Sequence, residues 1–175
     1  MTDHQLPPAP VRLARYTEDD KAEILGDTTD AFGVAHLGLT WLPKEEHFGI
    51  RLDGRLVAHT GLLRLPIAIG ELETEVMGVG GVAVAADLRG RGLARAVVGA
   101  ALEHARTAGP PYGLLFCRPQ IAPVYRRLGW QPVAGEVEVE QPGGVVVMPL
   151  CTMWTPLREG VEWPAGAVRL RSLPM

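Results

Sequence analysis

The segment Arg89-Gly90-Arg91-Gly92-Leu93-Ala94 constrains the fold of this chain more than any other. Before it, Leu72–Val84 reads as a strand, apolar or small throughout from Val76 on. After it, Leu93, Val97, Val98, Ala101, Leu102 and Ala105 recur at three- and four-residue intervals, the period of an amphipathic helix that ends near Gly109-Pro110. Strand, glycine-rich turn and helix in that order make a place where an anion can dock. A helix start offers N–H groups without intrahelical acceptors and the positive end of a dipole. Glycine lets the backbone approach an anion without interference from Cβ. Arg89 and Arg91 add positive charge. Taken alone, the turn is equally a tight strand-to-helix connection with solvated arginines. Two nucleotide patterns fit poorly: the P-loop needs a lysine that is absent here, and Arg95 stands where a dinucleotide fingerprint wants its third glycine.

The flanking sequence places this turn in an α/β domain. Val11–Tyr16 alternates as a strand; Thr17 then offers an N-cap, with Glu18, Asp19 and Asp20 suited to a first turn, so a helix is expected to about Phe32. Gly33–Pro43 is a short helix or a loop. Glu46–Leu52, Leu56–Ile69 and Leu72–Val84 read as an antiparallel meander turning at Asp53-Gly54 and near Gly70, with Pro66 marking an edge or bulge. Tyr112–Cys117 follows a helix and is expected parallel to the strand before it. Ile121–Leu128 is a short helix, and Gln131–Val139 and Gly144–Trp154 are final strands around Pro142-Gly143-Gly144.

A chain of 175 residues fits one domain, here 11–175, behind a flexible tail over 1–10. A net charge of −3 argues against a broad nucleic-acid surface. The 17 basic residues are two lysines, Lys21 and Lys44, and 15 arginines, a bias of composition. Cys117 and Cys151 give neither a zinc spacing nor a disulfide framework, so no metal is expected. No run is long and apolar enough for a membrane span, and Met1–Pro10 lacks the apolar stretch of a signal peptide. The expected location is the cytoplasm.

Arg89-Gly90-Arg91-Gly92-Leu93-Ala94 resembles the phosphate motif of the GCN5-related N-acetyltransferase (GNAT) superfamily, Arg/Gln-x-x-Gly-x-Gly/Ala, and Val82–Leu88 fits the run before it, with Ala86 where that family often has proline. Tyr125-Arg126-Arg127-Leu128-Gly129-Trp130 resembles its second motif, an aromatic followed by Gly-Phe/Trp. Two motifs in order are far more specific than either alone, and the resemblance covers about residues 11–155. It implies a mixed, mostly antiparallel sheet of six to seven strands, splayed between strands 4 and 5 and flanked by about four helices. It implies acetyl-CoA, or another acyl-CoA, as co-substrate. Pantetheine would meet Val82, Ala83 and Val84; pyrophosphate would meet Arg89, Gly90, Arg91, Gly92, Leu93 and Ala94. Tyr125 matches the family's general acid, and an ordinary phenol, with its pKa near 10, is protonated at neutral pH.

The base is left open among His59, Glu71, Glu73, Glu75 and a water chain. His59 ranks first: an imidazole accepts a proton near neutral pH, although a lone histidine in the apolar strand Leu56–Leu63 is more often structural. Leu56–Arg64 and Glu162-Trp163-Pro164-Ala165-Gly166 further resemble the nodulation N-acyltransferases, which acylate an amino-sugar oligosaccharide. Ala58-His59 and Val124–Trp130 are more weakly similar to the aminoglycoside 2′-N-acetyltransferases. Carboxylates of those two families are missing: Gly80 and Ala167 stand at the aminoglycoside positions and Gly78 near the nodulation one. His36, Trp41, Glu75 and Trp163 are the expected acceptor wall, aromatics there suiting a sugar ring as well as a closed core. The resulting expectation is an acyl-CoA N-acyltransferase acting on a small-molecule amine, an amino sugar or aminoglycoside among them. The alternative is a non-catalytic acyl-CoA sensor on the same scaffold. Neither a membrane nor a nucleic acid is an expected partner, and C-terminal edge strands leave room for a homodimer.

Overall fold

The computed structural model describes residues 8–175; the first seven residues of the tail expected over 1–10 lie outside the described residues. Among the described residues ten strands form one sheet: β1 Val11–Leu13, β2 Glu46–Leu52, β3 Arg55–Ile69, β4 Leu72–Val84, β5 Tyr112–Cys117, β6 Gln131–Pro132, β7 Val137–Gln141, β8 Gly144–Val147, β9 Cys151–Pro156 and β10 Val168–Leu170. The helices are α1 Glu18–Leu25, α2 Leu93–Ala105 and α3 Ala122–Arg127, with 3₁₀ turns at Ala35–Leu37 and Ala86–Leu88. The sheet runs β6-β9-β5-β4-β3-β10-β7-β8, and β2 pairs with β3 and carries β1. Its pairs are antiparallel except β4–β5 and β7–β10.

Local chemistry sets several boundaries. Thr17 and Asp20 form a reciprocal cap on α1: the Asp20 N–H donates to Thr17 Oγ1 at 3.2 Å and the Thr17 N–H donates to Asp20 Oδ2 at 2.8 Å. The helix stops at Leu25, short of the expected Phe32, because Gly26 takes φ 61° and its N–H closes on the Ala22 carbonyl. The expected strand Gln131–Val139 divides into β6 and β7 at Pro132 and Gly135, the latter at φ 76°. Pro149 lies in the break that divides Gly144–Trp154 into β8 and β9. Pro66 falls between the part of β3 paired to β2 and the part paired to β10, a local edge as expected. The sequence pattern missed β10, which joins β3 to β7.

The two sheet faces are covered differently. On one, α2 buries Leu93, Val97, Val98 and Ala101 against Leu62, Met77, Val79, Leu115 and Met153. On the other, Leu63, Leu65, Val76, Leu114 and Trp154 pack with the C-terminal residues Val168, Leu170 and Met175. Each fully buried large aliphatic side chain contributes about 1.5–3 kcal/mol relative to exposure.

Candidate active site

The glycine-rich turn lies where its sequence pattern placed it, between β4 and α2. Gly90 and Gly92 have φ 78° and 77°, a region L side chains avoid, and a Cβ at either would meet open space. The open space is therefore available to a ligand. Gly92 caps α2, whose first hydrogen bond runs from the Ala96 N–H to the Gly92 carbonyl at 3.1 Å. The N–H groups of Leu93, Ala94 and Arg95 precede that bond and have no intrahelical acceptor. Arg89 and Arg91 are exposed beside them, while buried Leu88 and Leu93 anchor the turn from below. Asp87 accepts a two-pronged hydrogen bond from Arg55 at 2.9 and 3.1 Å, which ties the entry to the turn onto β3.

A cleft opens beside the turn. β4 and β5 pair only from Val76–Gly78 to Tyr112–Leu114. Beyond that point β4 continues along β3 to Val84 and β5 continues along β9 to Cys117, so the facing edges of the two strands have no strand partner among the described residues. A bulge shapes the β4 wall: Ala83 faces His59 and Gly80 faces Gly61, leaving Gly81 and Val82 together opposite Thr60. Gly81 accommodates the bulge with φ 61°. Two side chains of β3 hold it. His59 Nδ1–H donates to the Gly81 carbonyl at 2.8 Å, and Thr60 Oγ1–H donates to the Gly80 carbonyl at 3.2 Å.

Tyr125 projects from α3 against the α2-side core, edge-on to Trp130 at 6.2 Å between ring centroids. Burial, helped by the nearby Cys117, pushes its pKa well above the ordinary phenol value, so it is a hydroxyl at any working pH.

Residues 15–133 match the acetyltransferase (GNAT) domain model. The chain belongs to the GNAT family. A GNAT family N-acetyltransferase of Escherichia coli (YhbS), solved with CoA, superposes with a TM-score of 0.58 at 17% identity, over 94% of this chain and 91% of that one. A GNAT acetyltransferase of Brucella melitensis, solved with acetyl-CoA, gives 0.52 at 18% identity over 91% and 94%. The ribosomal-protein-S18-alanine N-acetyltransferase of E. coli gives 0.53 at 15% identity over 87% and 99%. At these identities the likeness is one of fold. No curated protein sequence matches the chain.

Within this GNAT fold, His59 does not sit where an accessible base would. It is 2% exposed, and both ring nitrogens are engaged: Nδ1 with Gly81 and Nε2 with His47 Nδ1 at 2.9 Å. Burial pulls its pKa down to about 4, with the Gly81 carbonyl opposing and His47, Lys44 and Lys21 adding to the fall. The imidazole that ranks first as a base is thus buried inside the sheet with both nitrogens bonded. Glu75 likewise stands apart: it is exposed, pairs with Arg64 at 3.6 Å, and lines an open groove of about 680 Å³ with Gly109–Pro111, at the far end of β4 from the turn. Glu73 pairs with Arg171 at 2.8 Å. His36 is exposed on the turn Ala35–Leu37. Trp41 and Trp163 both pack against one apolar cluster, where Trp163 lies 5.2 Å from Tyr112 and 5.5 Å from Trp154.

Four residues of this region were not singled out by sequence: Tyr16, His47, Lys44 and Met175. Lys44 lies across the paired glycines Gly61 and Gly80; a Cβ on Gly61 would come within 2.5 Å of its Cγ and one on Gly80 within 2.6 Å of its Cε. Burial lowers the pKa of its ammonium. Met175 covers Gly78, where an added Cβ would meet its Sδ at 2.8 Å, and the Leu42 N–H donates to the Pro174 carbonyl at 2.7 Å. Gly78 and Gly80 are thus seats for Met175 and Lys44. Glycine inside a strand signals such a close approach, and that was the available clue.

Proposed function

We propose that this protein transfers an acyl group, acetyl in the first instance, from acyl-CoA to the primary amine of a small molecule. The observation that carries the reading is the junction of the Gly90–Gly92 turn, with its free helix N–H groups, and the cleft where β4 and β5 part. The turn suits a pyrophosphate. An extended pantetheine arm suits the open strand edges, as an added strand would. The residues present fit the co-substrate: the glycines leave room for it and the arginines supply charge.

The reaction then needs few groups. The amine nitrogen bonds to the thioester carbon, the C–S bond breaks, and the thiolate takes up a proton. The backbone N–H of Val82 or Val84 steadies the oxygen that gains charge as the amine adds. The Tyr125 hydroxyl donates to the departing sulfur. Its raised pKa is offset because a buried thiolate is disfavoured too, as Cys117 shows: burial, then Cys151, pushes that thiol up to about 11. The amine loses its proton to solvent rather than to His59.

For the acceptor, Lys44 brings positive charge to the face beside Gly80. A monoamine, such as a single amino sugar, suits that face better than a polycationic aminoglycoside. The test is thiol release from acetyl-CoA with a panel of amines. Turnover on a monoamine is the expected result. Tight CoA binding without turnover on any amine would instead identify a sensor.

A further inference from the structure

A buried imidazole is costly to place in a strand unless both nitrogens are satisfied. His59 meets that condition through a fixed chain of partners. The Gly81 carbonyl can only accept, so His59 Nδ1 carries the hydrogen of that 2.8 Å bond. In the neutral ring Nε2 then accepts, and His47 Nδ1–H is its donor at 2.9 Å. Tyr16 stacks flat on the His59 ring, with centroids 3.7 Å apart and planes within 6°, and His47 leans on both rings at 5.2 Å. Three elements therefore hold the ring that β3 carries: the β1–α1 junction, β2 and β4.

The clamp acts on a specific peptide. The Gly81 carbonyl and the Val82 N–H belong to the same planar trans unit and point in opposite directions. Drawing the carbonyl onto His59 turns the Val82 N–H away from β3. That peptide lies in the bulge, where the β3–β4 ladder does not fix it. Gly81, with φ 61° and no side chain, would otherwise leave it free to rotate.

We propose that His59 is a positioning residue: stacked under Tyr16 and bonded to His47, it fixes the Gly81–Val82 peptide so that the Val82 N–H meets the acyl carbonyl of the thioester. This rests on the acyl-CoA reading above and adds to it a means of telling acyl-CoA from CoA. Acyl-CoA offers that N–H a carbonyl oxygen, and free CoA does not.

The test compares affinities for acetyl-CoA and CoA by calorimetry in the wild type, His59→Phe and His59→Gln, with kcat and KM measured alongside. His59→Phe keeps the stacked ring and loses both hydrogen bonds. It is expected to bind CoA within about twofold of wild type, to bind acetyl-CoA about tenfold more weakly, and to lose kcat/KM by at least that factor. His59→Gln retains a donor for Gly81 and is expected to recover part of the loss. Equal changes for the two ligands, or none for either, would overturn the role of His59. If the Phe variant does not fold, Tyr16→Leu serves instead: it leaves both nitrogens bonded but frees the ring, and an unchanged acetyl-CoA preference would overturn the clamp. A wild-type chain that binds neither ligand would instead overturn the acyl-CoA reading.

Discussion

Acidification is expected to cost this protein about 2 kcal/mol of folding stability through His59 alone between about pH 8 and pH 5. The ring titrates near 6.5 in an unfolded chain and at about 4 in the folded one, chiefly because burial disfavours its charged form. Above 6.5 neither state binds the proton and the group is neutral in the balance. As pH falls from 6.5 toward 4, the unfolded chain takes up a proton that the folded chain refuses, so stability declines through that window. The full gap, reached below the folded value, is about 3 kcal/mol. Against a total stability of about 5–15 kcal/mol this is a visible fraction. His47 adds loss of the same sign, its pKa also lowered first by burial, with the Lys44 backbone opposing. Lys44 and Lys21 are the cations that bear on both rings. The measurement is urea unfolding of wild type and His59→Gln at the two ends of the range. The wild type should lose about 2 kcal/mol more than the variant on acidification, or about 4–8 °C in melting temperature. An equal loss in both proteins would refute the assignment of a buried, neutral His59.

Other substitutions test the site directly. Gly92→Glu puts a carboxylate into open space at the helix start and should abolish CoA binding by calorimetry; Gly92→Ala, which carries only the φ 77° strain of about 1–2 kcal/mol, should retain it. Unchanged affinity in the Glu variant would remove the turn from the site. Tyr125→Phe should lower kcat by about 10²–10⁴ while leaving CoA affinity in place, and a wild-type rate would exclude the hydroxyl from the chemistry. Arg55→Ala releases Asp87 and the entry to the turn, so CoA affinity should weaken while the melting temperature stays near that of the wild type; unchanged affinity would show that the turn holds its shape without that pair.

The turn and Tyr125 were legible in the sequence because their information is local. A helix period, two glycines and an aromatic at a fixed offset each depend on neighbours within one or two turns of chain. The meander was legible for the same reason: Asp53-Gly54 marks its first hairpin. Less legible was what distant strands bring together. His59 reads as a histidine in an apolar strand whether it faces a substrate or a sheet interior, and only the register pairing Ala83 with His59 places it beneath the bulge. Its partners Tyr16 and His47 come from 43 and 12 residues away in sequence, and no periodicity connects them to it. β10 was invisible because a three-residue strand carries too little pattern to register, though it joins two longer strands.

Gly78 is the position where the two kinds of information meet, and it carries the last prediction. Its missing side chain reads in sequence as an absent carboxylate. In the structure the same absence is a packing requirement, since Met175 Sδ lies 2.8 Å from where a Cβ would stand and Met175 Cε lies at 2.9 Å. The end of a methionine is adaptable, but the residue is buried with Leu63, Val76 and Trp154 and has little room to withdraw. Gly78→Ala is therefore expected to cost about 1–3 kcal/mol, the range of overpacked cores. Gly78→Glu should cost more, because it also buries a charge in an apolar cluster. The pair Gly78→Ala with Met175→Ala separates the readings by urea unfolding. If glycine is there to seat Met175, the alanine at 78 is tolerated once the methionine is shortened, and the two effects are less than additive. Full additivity would mean that Gly78 is needed for something other than the tail that covers it.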